Sequence, residues 1–319
     1  MKIVLTGSIA YDYLMTFPGK FEEHLLPDKL HSISLSFLVD GMVKRRGGVA
    51  PNIAYTMALL GRNPLLLGTV GEDFDLYQKW LEEQGVDTRG IEVIPEEFTA
   101  SFFVTTDDDN AQIASFYPGA MAFADRLSLE QWQKESPDLV VVSPNDPQAM
   151  AGYVREARHL DIPYVYDPSQ QIVRLSAEDL RRGVEGAFAL FVNDYEFGLI
   201  QKRTGLTREE VLRYLDLLVI TQGKEGSAIY VAGQELSIPI VPPERTVDPT
   251  GIGDAFRGGF LTGYSHQLPW DLCGKMGALA ATCCLESDGP QGHSFTAEAF
   301  IRRFREHFDD RGKLDILLD

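Results

Sequence analysis

The sequence predicts an α/β protein, with a mainly parallel central sheet covered by helices on both faces and a small antiparallel β lid inserted into it. Three observations predict this. Short apolar runs alternate with segments of helical period along most of the 319 residues, the sequence signature of strand–helix–strand crossovers. Two stretches, 11–46 and 98–120, break that rhythm. Hydrophobic residues make up 44% of the chain and charged residues 24%, enough apolar material for a large core and unlike the composition of a disordered chain.

The elements follow in order. Residues 3–6 read as the first strand. A helix over 52–60 follows, with Pro51 suited to a first helical turn. Residues 65–70 read as a strand and 74–84 as a helix. The same alternation gives a strand at 139–143, a helix at 147–159 and a strand at 164–167. Further strands fall at 190–193, 217–221 and 228–231, and helices over 255–265, 270–286 and 297–307 close the chain. Residues 11–46 show no helix of clear period. Residues 101–106 and 112–117 flank the turn cluster Asp107-Asp108-Asp109-Asn110 and read as a hairpin. These two stretches form the lid, and 1–10, 47–97 and 121–319 form the α/β domain. In open parallel sheets ligands bind beyond the C-terminal strand ends, which directs attention to Gly7, Ser8 and Asp12, and to segments 167–171, 193–196 and 221–226.

Charge narrows the function classes. Lys and Arg number 29 and Asp and Glu 47, a formal net charge of -18. Such a field repels nucleic acid and anionic lipid, so neither is an expected partner. It also opposes a polyanionic ligand, so a nucleotide site needs a metal ion, a Lys or Arg, and backbone N–H groups. The three cysteines, Cys273, Cys283 and Cys284, give no disulfide framework and suit a reducing compartment. Neither a secretory leader nor an apolar run of about eighteen residues is visible, so a cytoplasmic location is expected. The histidines and cysteines show no zinc spacing. The P-loop, the protein-kinase signatures and the G-x-S-x-G elbow are also absent from the sequence.

The strongest chemical signal is Asp248-Pro249-Thr250-Gly251-Ile252-Gly253-Asp254-Ala255-Phe256. A glycine turn opening a helix makes an anion cradle, fit to stabilise charge on a migrating phosphoryl group. Asp254 at that cradle can accept a hydroxyl proton; equally, it can simply cap the helix. Phe256 sits where a dinucleotide fingerprint needs its third glycine, so that reading fails. Gly47-Gly48-Val49-Ala50-Pro51-Asn52 allows close ligand approach, and Asn52 offers both a donor and an acceptor to vicinal hydroxyls; a plain tight turn is the alternative. Asn193-Asp194-Tyr195-Glu196 suits Mg²⁺ or its water shell, or a helix N-cap with a first-turn acid. The 221–226 segment could wrap a nucleotide or form a hairpin turn.

In this order, residues 47–52, 193–196, 221–226 and 248–254 resemble the ribokinase family, also called PfkB carbohydrate kinases, essentially end to end. Within it, Thr6-Gly7-Ser8-Ile9-Ala10-Tyr11-Asp12, residues 34–40, residues 112–121, Asp167-Pro168-Ser169-Gln170-Gln171 and 193–196 look most like bacterial adenosine kinases of the mycobacterial type. The resemblance implies a ribokinase-like three-layer αβα fold with a β lid. It implies that Asp254 is the catalytic base, with Gly251, Ile252 and Gly253 forming the anion hole. Asp12, Gly48 and Asn52 would bind ribose hydroxyls with Ser8 nearby, Gln170 and Gln171 would lie near the nucleoside, and Ser36 would reach the site from a partner subunit. Asn193, Thr221, Gln222, Gly223, Lys224, Glu225, Gly226 and Gly253 would contact ATP, and Glu196 would organise Mg²⁺. Members often hold a monovalent cation such as K⁺ near the residue matching Asp248. A homodimer through the lids is implied as well, and exposed strand edges favour pairing. If the hairpin turns over 108–110, Phe102 and Phe116 lie opposite each other and could clamp a purine or pack the lid on the core; the resemblance favours the purine. Ile252 stands where a smaller residue is usual, and Pro51 leaves any backbone contact at that position in doubt. The expected activity is ATP-dependent 5′-phosphorylation of adenosine. The alternatives are the same chemistry on guanosine, inosine, ribose or fructose, or a non-catalytic ligand-binding protein on this scaffold.

Overall fold

The computed structural model describes residues 1–24 and 34–318. The part of the predicted lid segment at 25–33, with His31, lies outside the described residues. In chain order the strands are β1 (Ile3–Thr6), β2 (Ala10–Thr16), β3 (Gly41–Gly47), β4 (Leu65–Val70), β5 (Asp87–Val93), β6 (Ala100–Thr106), β7 (Gln112–Tyr117), β8 (Leu139–Val142), β9 (Tyr164–Tyr166), β10 (Ala189–Asn193), β11 (Leu217–Thr221), β12 (Ser227–Val231) and β13 (Gln234–Ile238). The α-helices are α1 (Val49–Leu59), α2 (Asp75–Glu83), α3 (Pro147–His159), α4 (Ala177–Glu185), α5 (Asp194–Thr204), α6 (Arg208–Tyr214), α7 (Ile252–Ser265), α8 (Trp270–Leu285) and α9 (Ala297–His307).

Two sheets result. The large one runs β13-β12-β11-β10-β9-β8-β1-β4-β5. It is parallel from β11 to β5, and β12 and β13 add antiparallel at one edge. Strands β1, β4 and β8 are buried along their whole length, as a sheet covered on both faces requires. Their side chains alternate between two cores: Val4, Val140 and Val142 pack with Tyr153, Leu180 and Ile200 on the side of α3 to α5. Leu5, Leu139 and Val141 pack with Ile53, Leu81 and Phe260 on the side of α1, α2 and α7. The three-layer expectation therefore holds. No helix among the described residues is long and apolar enough to cross a membrane.

The small sheet runs β3-β2-β6-β7. Its outer pairs are antiparallel, but the central pair, β2 with β6, is parallel, so the lid is mixed rather than antiparallel throughout. The cause is connectivity. Strand β2 continues from β1 and β6 from β5, so both leave the large sheet in the same direction and pair in the middle. The return strands β3 and β7 are left to flank them. The predicted hairpin register holds: Phe102 pairs with Phe116, Asp12 with Phe102 and Arg45 with Asp12. These four residues form one row across the sheet on one face.

All three cysteines are free, with Cys273 and Cys284 buried and Cys283 half-buried. Burial pushes their thiols up to about 12, 12 and 11 respectively, so they behave as core residues.

Candidate active site

Helix α7 begins at Gly251, whose φ of 79° lies in the left-handed region. A Cβ there would come within 2.4 Å of the Pro290 Cβ, so both the turn and the close packing need glycine. The first N–H groups of α7 have no partner within the helix, the arrangement an anion cradle requires. Asp254 lies in that first turn and does not cap the helix. Its Oδ2 instead accepts a hydrogen bond of 2.8 Å from Asn52 Nδ2. Burial raises its pKa to about 7; Arg257 and Asn52 oppose the rise, and Asp167 and Glu196 add to it. A carboxylate with that pKa is poised for proton acceptance near neutrality.

Asn52 is held on α1, which opens at Gly48 against Ser8, with Val49 N donating to Ser8 Oγ at 3.3 Å. The backbone N–H of Asn52 is used within the helix, bonding to Gly48 O at 3.1 Å, so only the side chain reaches the site. A relay fixes its amide. Tyr77 Oη donates to Gly47 O at 3.0 Å and accepts from Gln291 Nε2, which also donates to Asn52 Oδ1 at 2.7 Å. With its oxygen committed, Asn52 must turn its NH₂ toward Asp254.

Asp12 lies across β3, close enough that a Cβ on Gly47 would fall 2.7 Å from its Oδ2. Burial raises its pKa to about 6, against the nearby Arg45, while Asp248 raises it further. Arg45 donates to Asp248 Oδ2 at 2.7 Å and also bridges to Asp288. The Asp248 carboxylate further accepts from Thr250 N at 2.8 Å and Gly289 N at 3.2 Å. A monovalent cation at this carboxylate would share it with the guanidinium, since Oδ1 accepts only from Thr250 N and keeps a lone pair.

On the other side of Gly253 opens a cleft of about 710 Å³, lined by Asn193, Thr221, Gly223, Lys224, Gly226 and Gly253 with apolar walls from Val241, Phe256 and Ala278. Ile252 also lines it, whereas Gln222 and Glu225 do not. The 221–226 segment is the turn of the β11–β12 hairpin, with Thr221 opposite Ser227, and Thr221, Gly223, Lys224 and Gly226 line the cleft. Asn193 and Glu196 make a reciprocal capping box at the start of α5. Glu196 Oε2 accepts from Asn193 N at 2.8 Å, and Oε1 accepts from Ser169 Oγ at 3.1 Å. Each oxygen keeps a lone pair, so Glu196 can still accept from a metal-bound water.

Gln171 is buried, and its Oε1 has no partner among the described residues. Gln170 beside it is exposed, and so is Ser36. The sequence reading pointed to the 167–171 segment without giving Asp167 a role, and it missed Arg257, Arg45, Gln291 and Tyr77. Arg257 had a usable signal, its i+3 spacing from Asp254 on one helix face. Gln291 and Tyr77 lie 239 and 25 residues from Asn52 and carried none.

The model of the pfkB family carbohydrate kinases matches residues 9–297 of this chain. The chain belongs to that family. This pfkB kinase is accordingly an ATP-dependent phosphotransferase of nucleosides or sugars. It is similar to a nucleoside kinase of Methanocaldococcus jannaschii, 29% identical over 96% of this chain and 97% of the relative. A nucleoside kinase of Methanothermobacter thermautotrophicus is 30% identical over 95% of each chain. The structure of Burkholderia thailandensis nucleoside kinase in complex with inosine superposes with a TM-score of 0.86, at 34% identity, covering 96% of this chain and 98% of that one. These relatives are nucleoside kinases, so the likeness to mycobacterial-type adenosine kinases in particular is not what the comparisons return. An adenosine kinase from Sinorhizobium meliloti, at 20% identity and a TM-score of 0.73 over 96% of this chain and 99% of that one, shares the fold.

Proposed function

We propose that this pfkB kinase transfers the γ-phosphoryl group of ATP to the 5′-hydroxyl of adenosine. One observation carries the reading: Asp12, Phe102 and Phe116 stand in register on one face of the lid. A carboxylate for a ribose diol thus sits one strand from a pair of rings for a base. A bare sugar has no use for those rings. The unpartnered Gln171 Oε1 adds an acceptor on the loop after β9, suited to an exocyclic amino group. In the reaction the 5′-oxygen attacks the γ-phosphorus in line, its proton passes to Asp254, and the bond to the bridging oxygen of ADP breaks. Gly251, Ile252 and Gly253 donate N–H groups to the phosphoryl oxygens. Mg²⁺ bound with ATP, its waters held by Glu196, would neutralise phosphate charge. Ser36 completes the nucleoside site from a second copy across the lids. A reading as a broad nucleoside kinase is favoured by the exposure of Phe116, 47%, since a base contact open to solvent discriminates weakly.

The test is Mg²⁺-dependent ADP release with adenosine, inosine, guanosine, ribose and fructose as acceptors. Adenosine is expected to give the highest kcat/KM. Phe102→Ala and Phe116→Ala should each raise KM for adenosine by about tenfold, as loss of a base–ring stack of about 1–3 kcal/mol predicts, and leave ribose turnover nearly unchanged. Equal effects on both acceptors would remove the base clamp. Separately, kcat/KM for the preferred nucleoside should rise with pH to a plateau above about 7 and fall about tenfold per unit below it, because Asp254 works only as the carboxylate. A flat profile from pH 5 to 8 would contradict that role.

A further inference from the structure

Arg257 is a strong cation beside Asp254 that the reaction scheme above leaves unused. It lies one helical turn after Asp254 on α7, with its side chain 11% exposed. Its Nη2 donates to Asp167 Oδ1 at 2.5 Å, and the Asp167 side chain is fully buried. A Cβ on Gly253 would fall 2.8 Å from its Nη1, so the guanidinium packs directly on the backbone of the anion cradle. Its Nε is buried and has no partner among the described residues. Three acids surround it, namely Asp167, Asp254 and Glu196. A guanidinium has five donors and cannot be deprotonated in a protein. Here only Nη2 is committed, to Asp167, and the buried Nε has no acceptor among the described residues.

We propose that Arg257 is a catalytic residue whose guanidinium, held in readiness by Asp167, donates to the oxygens of the phosphoryl group as it crosses the Gly251–Gly253 cradle. The chain carries a net charge of -18, and backbone dipoles alone are a small counterweight to a triphosphate meeting three acids. Arg257 supplies a full positive charge beside the Gly251–Gly253 cradle. No bond in the scheme changes: the guanidinium stays protonated throughout, and the hydroxyl proton still goes to Asp254. The inference rests on the kinase reading of the same site.

The experiment compares the parent, Arg257→Gln, Arg257→Lys and the double variant Asp167→Asn/Arg257→Gln, assayed with the best acceptor found for the parent. A parent that turns over no acceptor sinks the kinase reading; every other outcome concerns Arg257. The expected result is a loss in kcat of about 100-fold or more for Arg257→Gln, the scale of one transition-state donor or an arginine finger. ATP affinity by titration calorimetry should change less than about threefold, and Arg257→Lys should recover part of the rate. The double variant removes both members of the buried pair, which guards against loss of folding from an unpaired acid. It is expected to remain as slow as Arg257→Gln. Recovery of the parental rate in the double variant would overturn the proposal, since Arg257 would then serve only to neutralise Asp167. Asp254 faces Arg257, Asn52, Asp167 and Glu196, so the assay is repeated at pH 9, where its carboxylate is ionised. A loss that disappears at pH 9 would also overturn it, leaving Arg257 as a group that merely sets the ionisation of Asp254.

Discussion

Asp254→Asn is expected to lower kcat by about 10²–10⁴, the range of general-base assistance, while ATP binding stays close to that of the parent. The contacts expected to hold the nucleotide come from Asn193, the 221–226 turn and Gly253, none of which the substitution touches. An asparagine can still accept from Asn52 Nδ2 in place of the carboxylate, so the variant loses the proton acceptor and keeps the geometry. Stability should move the other way. Burial raises the folded-state pKa to about 7, while the unfolded value is about 3.9. Between those values the folded protein binds the proton more tightly than the unfolded chain, so this group's contribution declines as pH rises and is least favourable above about 7. The variant should therefore melt higher than the parent at pH 8, with the gap closing toward pH 4. Single-turnover kinetics and thermal melting check both halves. A kcat within about threefold of the parent would remove Asp254 from the chemistry.

Gly251→Ala should damage the cradle with a single added methyl group. The added Cβ meets the Pro290 Cβ at 2.4 Å, at a φ of 79°. Left-handed backbone at a non-glycine residue costs about 1–3 kcal/mol, and the clash forces the cradle to shift as well. Misplacing transition-state donors by about an ångström costs on the order of 100-fold in rate. Gly61→Ala is the internal control: its φ is 78°, with nothing within 4 Å of the added Cβ. Both variants should lose melting temperature, and only Gly251→Ala should lose kcat. Equal kcat in the two would mean that the turn at Gly251 shapes the chain without shaping the cradle.

Legibility in the sequence followed burial. Strands β1, β4, β8 and β11 are apolar runs because both faces are covered, and all four were readable to within a residue. Helices α3 and α9 were read to their ends, each beginning at a capping residue, Asp146 or Thr296. The misses have the opposite character. Strand β13 is largely exposed and β5 partly so, and they carry Glu235 or Arg89 and Glu92, so they look like loops. Helix α4 is mostly charged, with Leu180 and Val184 as its only apolar buried residues. Strand β3 is polar because it borders the site, and its Arg45 serves Asp248 rather than a core.

From residue order alone came the alternation of strands and helices, the glycine turn that opens α7 and the Phe102–Phe116 register; Asp254 and Asn52 stood out by their motifs but took their expected roles from the family resemblance. Each is local, or depends on a period of two or 3.6 that the backbone imposes on any chain. The decisions left to the tertiary structure were the parallel pairing at the centre of the lid, the Tyr77–Gln291–Asn52 relay, the capture of Asp248 by Arg45 and the packing of Arg257 on Gly253. Those pairings join segments up to 239 residues apart. Nothing near either partner encodes them, because a hydrogen bond or an ion pair depends on distance in space, which the folded chain alone sets.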